Sequence, residues 1–180
     1  MAIDKVKAYF AEFGREGDVM EFPASSATVE LAAQAEGDGD VPVGCVIVKE
    51  DRVIGRGRNR REERGDATAH AEVEAIRDAC AHTGSWRLTG CTLYVTLEPC
   101  PMCAGAIINS RIRRVVYGAA DTKAGCCGSV TDLFAMPFNH HPAVERGLRA
   151  EEAQALLQAF FLQLREKRAA KPRWKPPITK

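Results

Sequence analysis

The sequence predicts an α/β fold, a sheet covered by helices, and three observations predict it. Val43 to Val48 (VGCVIV) and Arg52 to Arg58 (RVIGRGR) are β-rich runs on either side of Lys49-Glu50-Asp51, the pattern of a hairpin. Cys91 to Leu97 (CTLYVTL) and Arg113 to Gly118 (RRVVYG) are two further β-biased runs. A helical pattern separates the hairpin from the third run and another separates the third from the fourth, so the order is ββαβαβ. A chain of 180 residues is long enough for one domain with a real core, and its 46% hydrophobic content is ordinary for such a domain.

Each element has a local cause. Ile3, Val6, Tyr9/Phe10 and Phe13 recur at helical spacing over residues 1–14, and Gly14 ends that helix. Val19 to Phe22 reads as a short extended stretch closed by Pro23. Ser25 or Ser26 offers an N-cap to a second helix over 26–36, with Val29, Leu31, Ala32 and Ala35 as its apolar side, and Gly37-Asp38-Gly39-Asp40 breaks it. In the hairpin that follows, Gly55 and Gly57 allow a bulge or a close backbone approach. Residues 60–66 (RREERGD) read as polar loop. Thr68 to His82 is a helix with Ala69, Val73, Ile76 and Ala79/Cys80 apolar, which places His70 and Glu72 in its first turn; Thr83-Gly84 stops it. Pro99 closes the third strand, and Pro101 opens a helix to Asn109, proline being pre-organised for the first helical position. Ala119 to Thr131 is a Gly/Ala/Cys-rich loop, Leu133 to Pro142 is irregular, and Glu151 to Lys167 is a long amphipathic helix carrying Leu156/Leu157, Phe160/Phe161 and Leu164. The sequence thus divides into an N-terminal extension (1–23), a domain that carries the chemistry (24–167) and a basic tail (168–180), the tail proline-broken and read as disordered.

Charge and cysteine usage narrow the class. The formal net charge is +1, but residues 164–180 carry seven Lys/Arg against one Glu, a distribution compatible with phosphate contact and equally with a solvated terminus. No apolar run approaches membrane-spanning length, and MAIDKVKAYF lacks the apolar segment of a signal peptide, so no membrane association and a cytoplasmic location are expected. The seven Cys are odd in number and one pair has ligand spacing, which argues against a disulfide framework. Cys45, Cys80 and Cys91 fall in apolar patterns and read as core thiols, and Cys126-Cys127 are adjacent and do not repeat the ligand spacing.

The chemistry concentrates in His70-Ala71-Glu72 and Pro99-Cys100-Pro101-Met102-Cys103. A lone C-x-x-C is compatible with half a zinc ribbon, a redox pair or buried thiols. With His-x-Glu at one helix start and Pro-Cys-x-x-Cys at another, each preceded by sheet, it is the signature of zinc nucleobase deaminases. One His and two thiolates leave a fourth position for water, the pattern of a catalytic site, and thiols at a helix N-terminus ionise more readily. His70, Cys100 and Cys103 are the expected ligands of one Zn2+ per subunit, and mixed His/Cys ligation favours zinc over iron. Glu72 stays off the metal as the proton shuttle: it takes the water's proton and returns protons to the ring nitrogen and the leaving amine. Asn59, at the end of the second strand, suits a base edge, or simply a turn.

From Val41 to about Arg165 the chain resembles the bacterial tRNA adenosine deaminases, the TadA family. The segments that carry the resemblance are VPVGCVIV, VIGRGRN, TAHAEVEAI, WRLTGCTLYVTLEPCPMCAGAI, SRIRRVVYGAADTKAGCCGS and FNHHPAVERGL with the helix that follows. The resemblance implies the cytidine deaminase-like fold, a three-layer α/β/α arrangement with a five-stranded mixed sheet between helices. It implies a hydrolase that converts adenosine to inosine at the wobble position of a tRNA anticodon, acting as a homodimer on the anticodon stem-loop. It implies substrate contacts at Asn59, at the pocket wall Val41, Pro42 and Val43 with the Ala71 backbone nearby, and at Asp121 and Lys123 in the loop that meets the neighbours of the flipped-out nucleotide. Ala67 stands where many relatives have proline, and Asn109 where histidine is frequent. Residues 1–35 resemble instead the opening of the YbaK-type aminoacyl-tRNA deacylases, but the catalytic lysine region of that family does not follow, so no deacylase activity is expected. Two rivals stand beside the tRNA deaminase: a deaminase of free guanine, cytosine or a nucleoside on the same fold, and a catalytically silent zinc-stabilised RNA-binding module, which would not require Glu72.

Overall fold

The computed structural model describes residues 23–170. The expected helix over 1–14, the extended stretch at 19–22 and the tail beyond 170 lie outside them. The elements run α1 (Pro23–Gly37), β1 (Gly44–Lys49), β2 (Arg52–Arg58), α2 (Arg61–Arg64), α3 (Ala71–Thr83), β3 (Thr92–Leu97), α4 (Pro101–Asn109), β4 (Arg114–Ala119), β5 (Ala143–Arg146) and α5 (Ala150–Ala169). They build one five-stranded sheet of order β2-β1-β3-β4-β5. β1 is antiparallel to β2 and β3, and β3, β4 and β5 are mutually parallel, so the sheet is mixed.

Strand periodicity sorts the core into two layers. Cys45 and Ile47, Leu93 and Val95, and Val115 and Tyr117 point to one face, where Ala71, Ala75 and Ala79 of α3 and Ala104 and Ile107 of α4 cover them. Val46, Tyr94 and Val116 alternate to the other face and meet Ala27 and Leu31 of α1, with Leu148 just before α5. The three-layer α/β/α expectation is borne out.

The glycines of β2 set the depth of α3. Gly55 and Gly57 pair with Ile47 and Cys45, so they face α3. A Cβ on Gly55 would lie 2.5 Å from the Ala75 carbonyl, and one on Gly57 would run into the Ala71 carbonyl and the Ala75 nitrogen. The helix answers with alanines at 71, 75 and 79, an i, i+4 stripe with no side chain beyond Cβ. The bulge also occurs: the register shifts between Ile47 and Val48, leaving Ile54 as the extra residue of β2. The hairpin turns at Glu50 and Asp51, both at positive φ (49° and 58°), the conformation of a two-residue turn that follows strand twist.

Four local expectations are corrected. α1 begins at Pro23, which puts Ser25 and Ser26 inside its first turn and not at its N-cap. Residues 61–64 form a short helix where loop was expected, because Asp40 accepts the Glu62 and Glu63 N–H groups (3.0 and 3.2 Å) and Gly65 closes it in the left-handed region. α3 begins at Ala71, so His70 is its N-cap residue, with extended backbone (φ −83°, ψ 151°), and only Glu72 of the pair lies in the first turn. β5, absent from the residue-by-residue reading, is an exposed edge strand paired to β4 alone.

The close approach of α3 is testable. Gly57→Ala is expected to destabilise the fold by about 1–3 kcal/mol through overpacking. Gly105→Ala in α4, where an added Cβ meets nothing within 4 Å, is expected to stabilise by about 0.5–1 kcal/mol. Urea denaturation of both variants checks the contrast, and a neutral Gly57→Ala would contradict the packing.

Candidate active site

The site lies at one edge of the sheet, where the N-terminal end of β1 meets the C-terminal ends of β2 and β3. Gly44 pairs with Arg58, and its N–H donates to the Thr96 hydroxyl (3.2 Å), so the three strand ends are tied. Two helices start there. His70 caps α3 and Cys100 caps α4, with Pro101 at the first helical position and Cys103 in the first turn. Neither cap residue bonds its helix through its side chain, so the imidazole and the Cys100 sulfur stay available.

The two helix starts bring His70 Nδ1 to 3.6 Å from Cys100 Sγ and 3.5 Å from Cys103 Sγ. The three donor atoms lie within 4.8 Å of one another, and this is the metal-type cluster found among the described residues. The separations fit zinc. Tetrahedral bonds of about 2.3 Å to sulfur and about 2.0–2.1 Å to nitrogen put a nitrogen and a sulfur about 3.5–3.6 Å apart. The protonation chemistry fits as well. Hydrogen bonds from Cys103 and then His70 hold the Cys100 thiol down at about 4, while the same Cys103 pairing and burial push Cys103 up. A dication bound here would displace the protons that Cys103 and His70 otherwise keep.

Glu72 lies in the first turn of α3 and is 4% exposed. Burial pushes its carboxyl up to about 7; its own backbone N–H and His70 draw it down, and the Cys100 sulfur raises it. Cys45 of β1 lies beneath it as a fully buried thiol, raised by burial and by Glu72 itself. A carboxyl group poised near neutrality beside these donors is suited to moving protons.

The expected substrate residues form two groups. Asn59 is buried; its N–H donates to the Val43 carbonyl (3.0 Å), and its side-chain oxygen accepts the Ala71 N–H (3.3 Å). That bond orients the amide by its oxygen and engages the Ala71 N–H. Pro42 and Val43 are buried beside it and Val41 is half-buried. The second group sits on the 120–129 loop. Asp121 Oδ1 accepts the Lys123 and Ala124 N–H groups (2.9 and 3.3 Å), and Lys123 is exposed. Asp121 and Lys123 line a cavity of about 700 Å3 with Val41, Phe161, Arg165 and Arg168. None of the three metal-type donors lines it, so the cavity adjoins the pocket through Val41 and does not contain the metal centre.

Two buried carboxylates here were not singled out from the sequence. Asp40, 1% exposed, caps α2 and so fixes the chain between Asn59 and His70. Glu98, 2% exposed, accepts N–H bonds from Asp121 (3.0 Å), Cys127 (2.8 Å) and Ser129 (3.1 Å), and the Ser129 hydroxyl as well. Burial raises the Glu98 carboxyl, but these donors outweigh it and hold the group below its ordinary range. The one signal in the sequence is that Glu98 carries a charge between a buried apolar strand and Pro99. His140 and His141 each direct a ring nitrogen at a backbone carbonyl, of Ile112 (2.6 Å) and Phe134 (3.0 Å), which gives each a structural task. The seven cysteines are unbridged, with Cys45, Cys91, Cys126 and Cys127 buried.

Comparisons with known proteins agree with this geometry. The MafB19-like deaminase family matches residues 21–165. The tRNA-specific adenosine deaminase of Bacillus subtilis (strain 168) is 48% identical over 143 residues, which is 79% of this chain and 89% of that protein. A tRNA(Ile)-lysidine synthase of Deinococcus deserti is 44% identical over 163 residues, 90% of this chain but 30% of that protein. Among solved structures, one described for A-to-I editing by tRNA:A34 deaminases at the wobble position of transfer RNA is 46% identical, with a TM-score of 0.72, covering 74% of this chain and 98% of that one. The guanine deaminase of Bacillus subtilis is 33% identical, with a TM-score of 0.55, covering 87% of this chain and 100% of that one.

Proposed function

Because the chain belongs to the tRNA-specific adenosine deaminases, within the MafB19-like deaminase family, we infer that it deaminates adenosine to inosine in tRNA, at the wobble position of the anticodon. The observation that carries this is the His70–Cys100–Cys103 triangle, with Glu72 buried and outside the donor set. Higher identity to the tRNA deaminases than to the guanine deaminase favours the RNA substrate over a free base. The lysidine synthase name belongs to a protein of which this chain matches under a third, and it is not carried over.

His70 Nδ1, Cys100 Sγ and Cys103 Sγ would hold one Zn2+ per chain. Zinc supplies a water acidic enough to serve as nucleophile near neutral pH. The chain does the rest. Glu72 takes a proton from the attacking water and delivers it to the ring nitrogen, then takes the remaining proton of the added hydroxyl and delivers it to the exocyclic amine. Oxygen bonds to the ring carbon, the C–N bond breaks, and adenosine and water become inosine and ammonia. Asn59 orients the base through its NH2, while Val41, Pro42 and Val43 form the wall beside it. The base must leave its stack to arrive there, and Asp121 and Lys123 hold the nucleotides that flank it. Arg165 and Arg168 across the same cavity suit the phosphates between them.

Two further features belong to the same proposal. Val130, Met136, Phe138 and Val144 are exposed apolar residues on the 130–144 stretch, and a second copy of the chain would bury them in a homodimer. No helix among the described residues is long and apolar enough to cross a membrane, and a tRNA substrate supports a cytoplasmic location.

The test is a zinc-loaded sample given a synthetic anticodon stem-loop with adenosine at the wobble position, beside free adenosine, guanine and cytidine. Inosine from the stem-loop alone is expected; turnover of a free base alone would move the enzyme to the other branch. Glu72→Ala is expected to keep its zinc and to lose activity by more than about a hundredfold, the lower range for a general acid/base; activity within tenfold of the parent would remove Glu72 from the proton path. Sedimentation is expected to show a dimer that Phe138→Glu weakens, and a monomeric parent would contradict the apolar-face assignment.

A further inference from the structure

Glu98 is a buried carboxylate that the chemistry above does not use. It lies two residues before Cys100, on the strand end that leads into the metal centre, yet all its side-chain bonds point the other way. Oε2 takes the Asp121 N–H and the Ser129 hydroxyl; Oε1 takes the Cys127 and Ser129 N–H groups. Four donors on one carboxylate span the whole 121–129 segment. The backbone reinforces them: Glu98 N–H donates to the Ala119 carbonyl (2.9 Å), and Cys126 N–H to the Pro99 carbonyl (2.9 Å). Gly125 leaves the space for this, since a Cβ there would run into the Glu98 carboxyl group and the Asp121 carbonyl. No ion pair to Glu98 occurs among the described residues, so its charge is balanced by these donors.

We propose that Glu98 is a positioning residue that fixes the 121–129 segment in its RNA-binding shape before substrate arrives, tying the nucleotide-contacting residues Asp121 and Lys123 to the strand that delivers Cys100. The proposal rests on Asp121 and Lys123 meeting the RNA. A loop of this length with few apolar anchors would otherwise sample many shapes, and ordering it on binding would weaken affinity. Its loss therefore appears in KM for the stem-loop, and the turnover at saturating RNA is largely kept, because no bond of the Glu98 side chain reaches His70, Glu72, Cys100 or Cys103.

Glu98→Gln is the sharp variant: whichever way the amide is turned, its NH2 faces at least one backbone N–H. Gly125→Ala attacks the same contact from the loop side. In zinc-replete, folded protein each is expected to raise KM for the anticodon stem-loop about tenfold or more while kcat stays within about threefold. Adding Lys123→Ala to Glu98→Gln is expected to raise KM by less than Lys123→Ala does alone, since the unpinned loop already misplaces that lysine. KM within twofold of the parent in both variants, a loss confined to kcat, or fully multiplicative effects would each overturn the proposal. If Lys123→Ala by itself leaves KM unchanged, the RNA contact of the loop fails, a result separable from failure of the Glu98 clamp. Should neither variant fold, hydrogen exchange of the parent decides: slow exchange at the Asp121, Cys127 and Ser129 amides is expected, and exchange as fast as in an unstructured loop overturns the clamp.

Discussion

Everything in this site depends on how closely α3 lies on the sheet. Glycine at 55 and 57 and alanine at 71, 75 and 79 leave nothing beyond Cβ at the closest contact, so helix backbone rests on strand backbone. That depth fixes the height at which the helix begins, and its first residues are His70 at the cap and Glu72 in the first turn. α4 begins at the end of β3, two strands away across β1, and its first residues are Cys100 and Cys103. A nitrogen-to-sulfur distance of 3.5–3.6 Å leaves room for one metal bond on each side and for little error. A methyl group between α3 and β2 would be felt first as lost stability and next as a spoiled metal geometry.

Around this rigid centre the loops are held by buried carboxylates. Asp40 binds the start of α2 and thereby the chain between Asn59 and His70; Glu98 binds the 121–129 segment. Both are nearly inaccessible and both accept backbone N–H groups that a loop would otherwise have to leave unsatisfied. The result is a division of labour. Helix starts on a packed sheet carry the chemistry, where tolerance is small. In the proposed function the carboxylate-tethered loops carry the substrate contacts, where shape has to match an RNA.

The parts of this design that were legible in the sequence are those written locally. β2 and α4 have the bounds read from composition and from Pro101, and Gly84 ends α3 in the left-handed conformation, as a terminating glycine should. The His-x-Glu and Pro-Cys-x-x-Cys pattern named the three donors that the fold assembles from residues some thirty positions apart. What was not legible depends on partners distant in the chain. β5 has four exposed residues and no alternation, and only β4 makes it a strand. The Arg61–Arg64 helix exists because of Asp40, some twenty residues earlier. The tasks of Glu98 and of the His140/His141 pair are hydrogen bonds that no spacing announces. Even in α3 the buried stripe is Ala71, Ala75 and Ala79 and not the larger Val73 and Ile76, because the glycine strand selects small residues.

The most direct test of the central claim is X-ray absorption at the zinc edge of the metal-loaded protein, recorded for the parent and for Glu72→Ala. The predicted spectrum has two sulfur neighbours at about 2.3 Å and nitrogen or oxygen neighbours at about 2.0–2.1 Å, and it is unchanged by the substitution. A first shell of three or four sulfurs, or one that loses an oxygen when Glu72 is removed, would mean that the carboxylate or another cysteine completes the site, and would contradict a three-donor centre with Glu72 left to move protons.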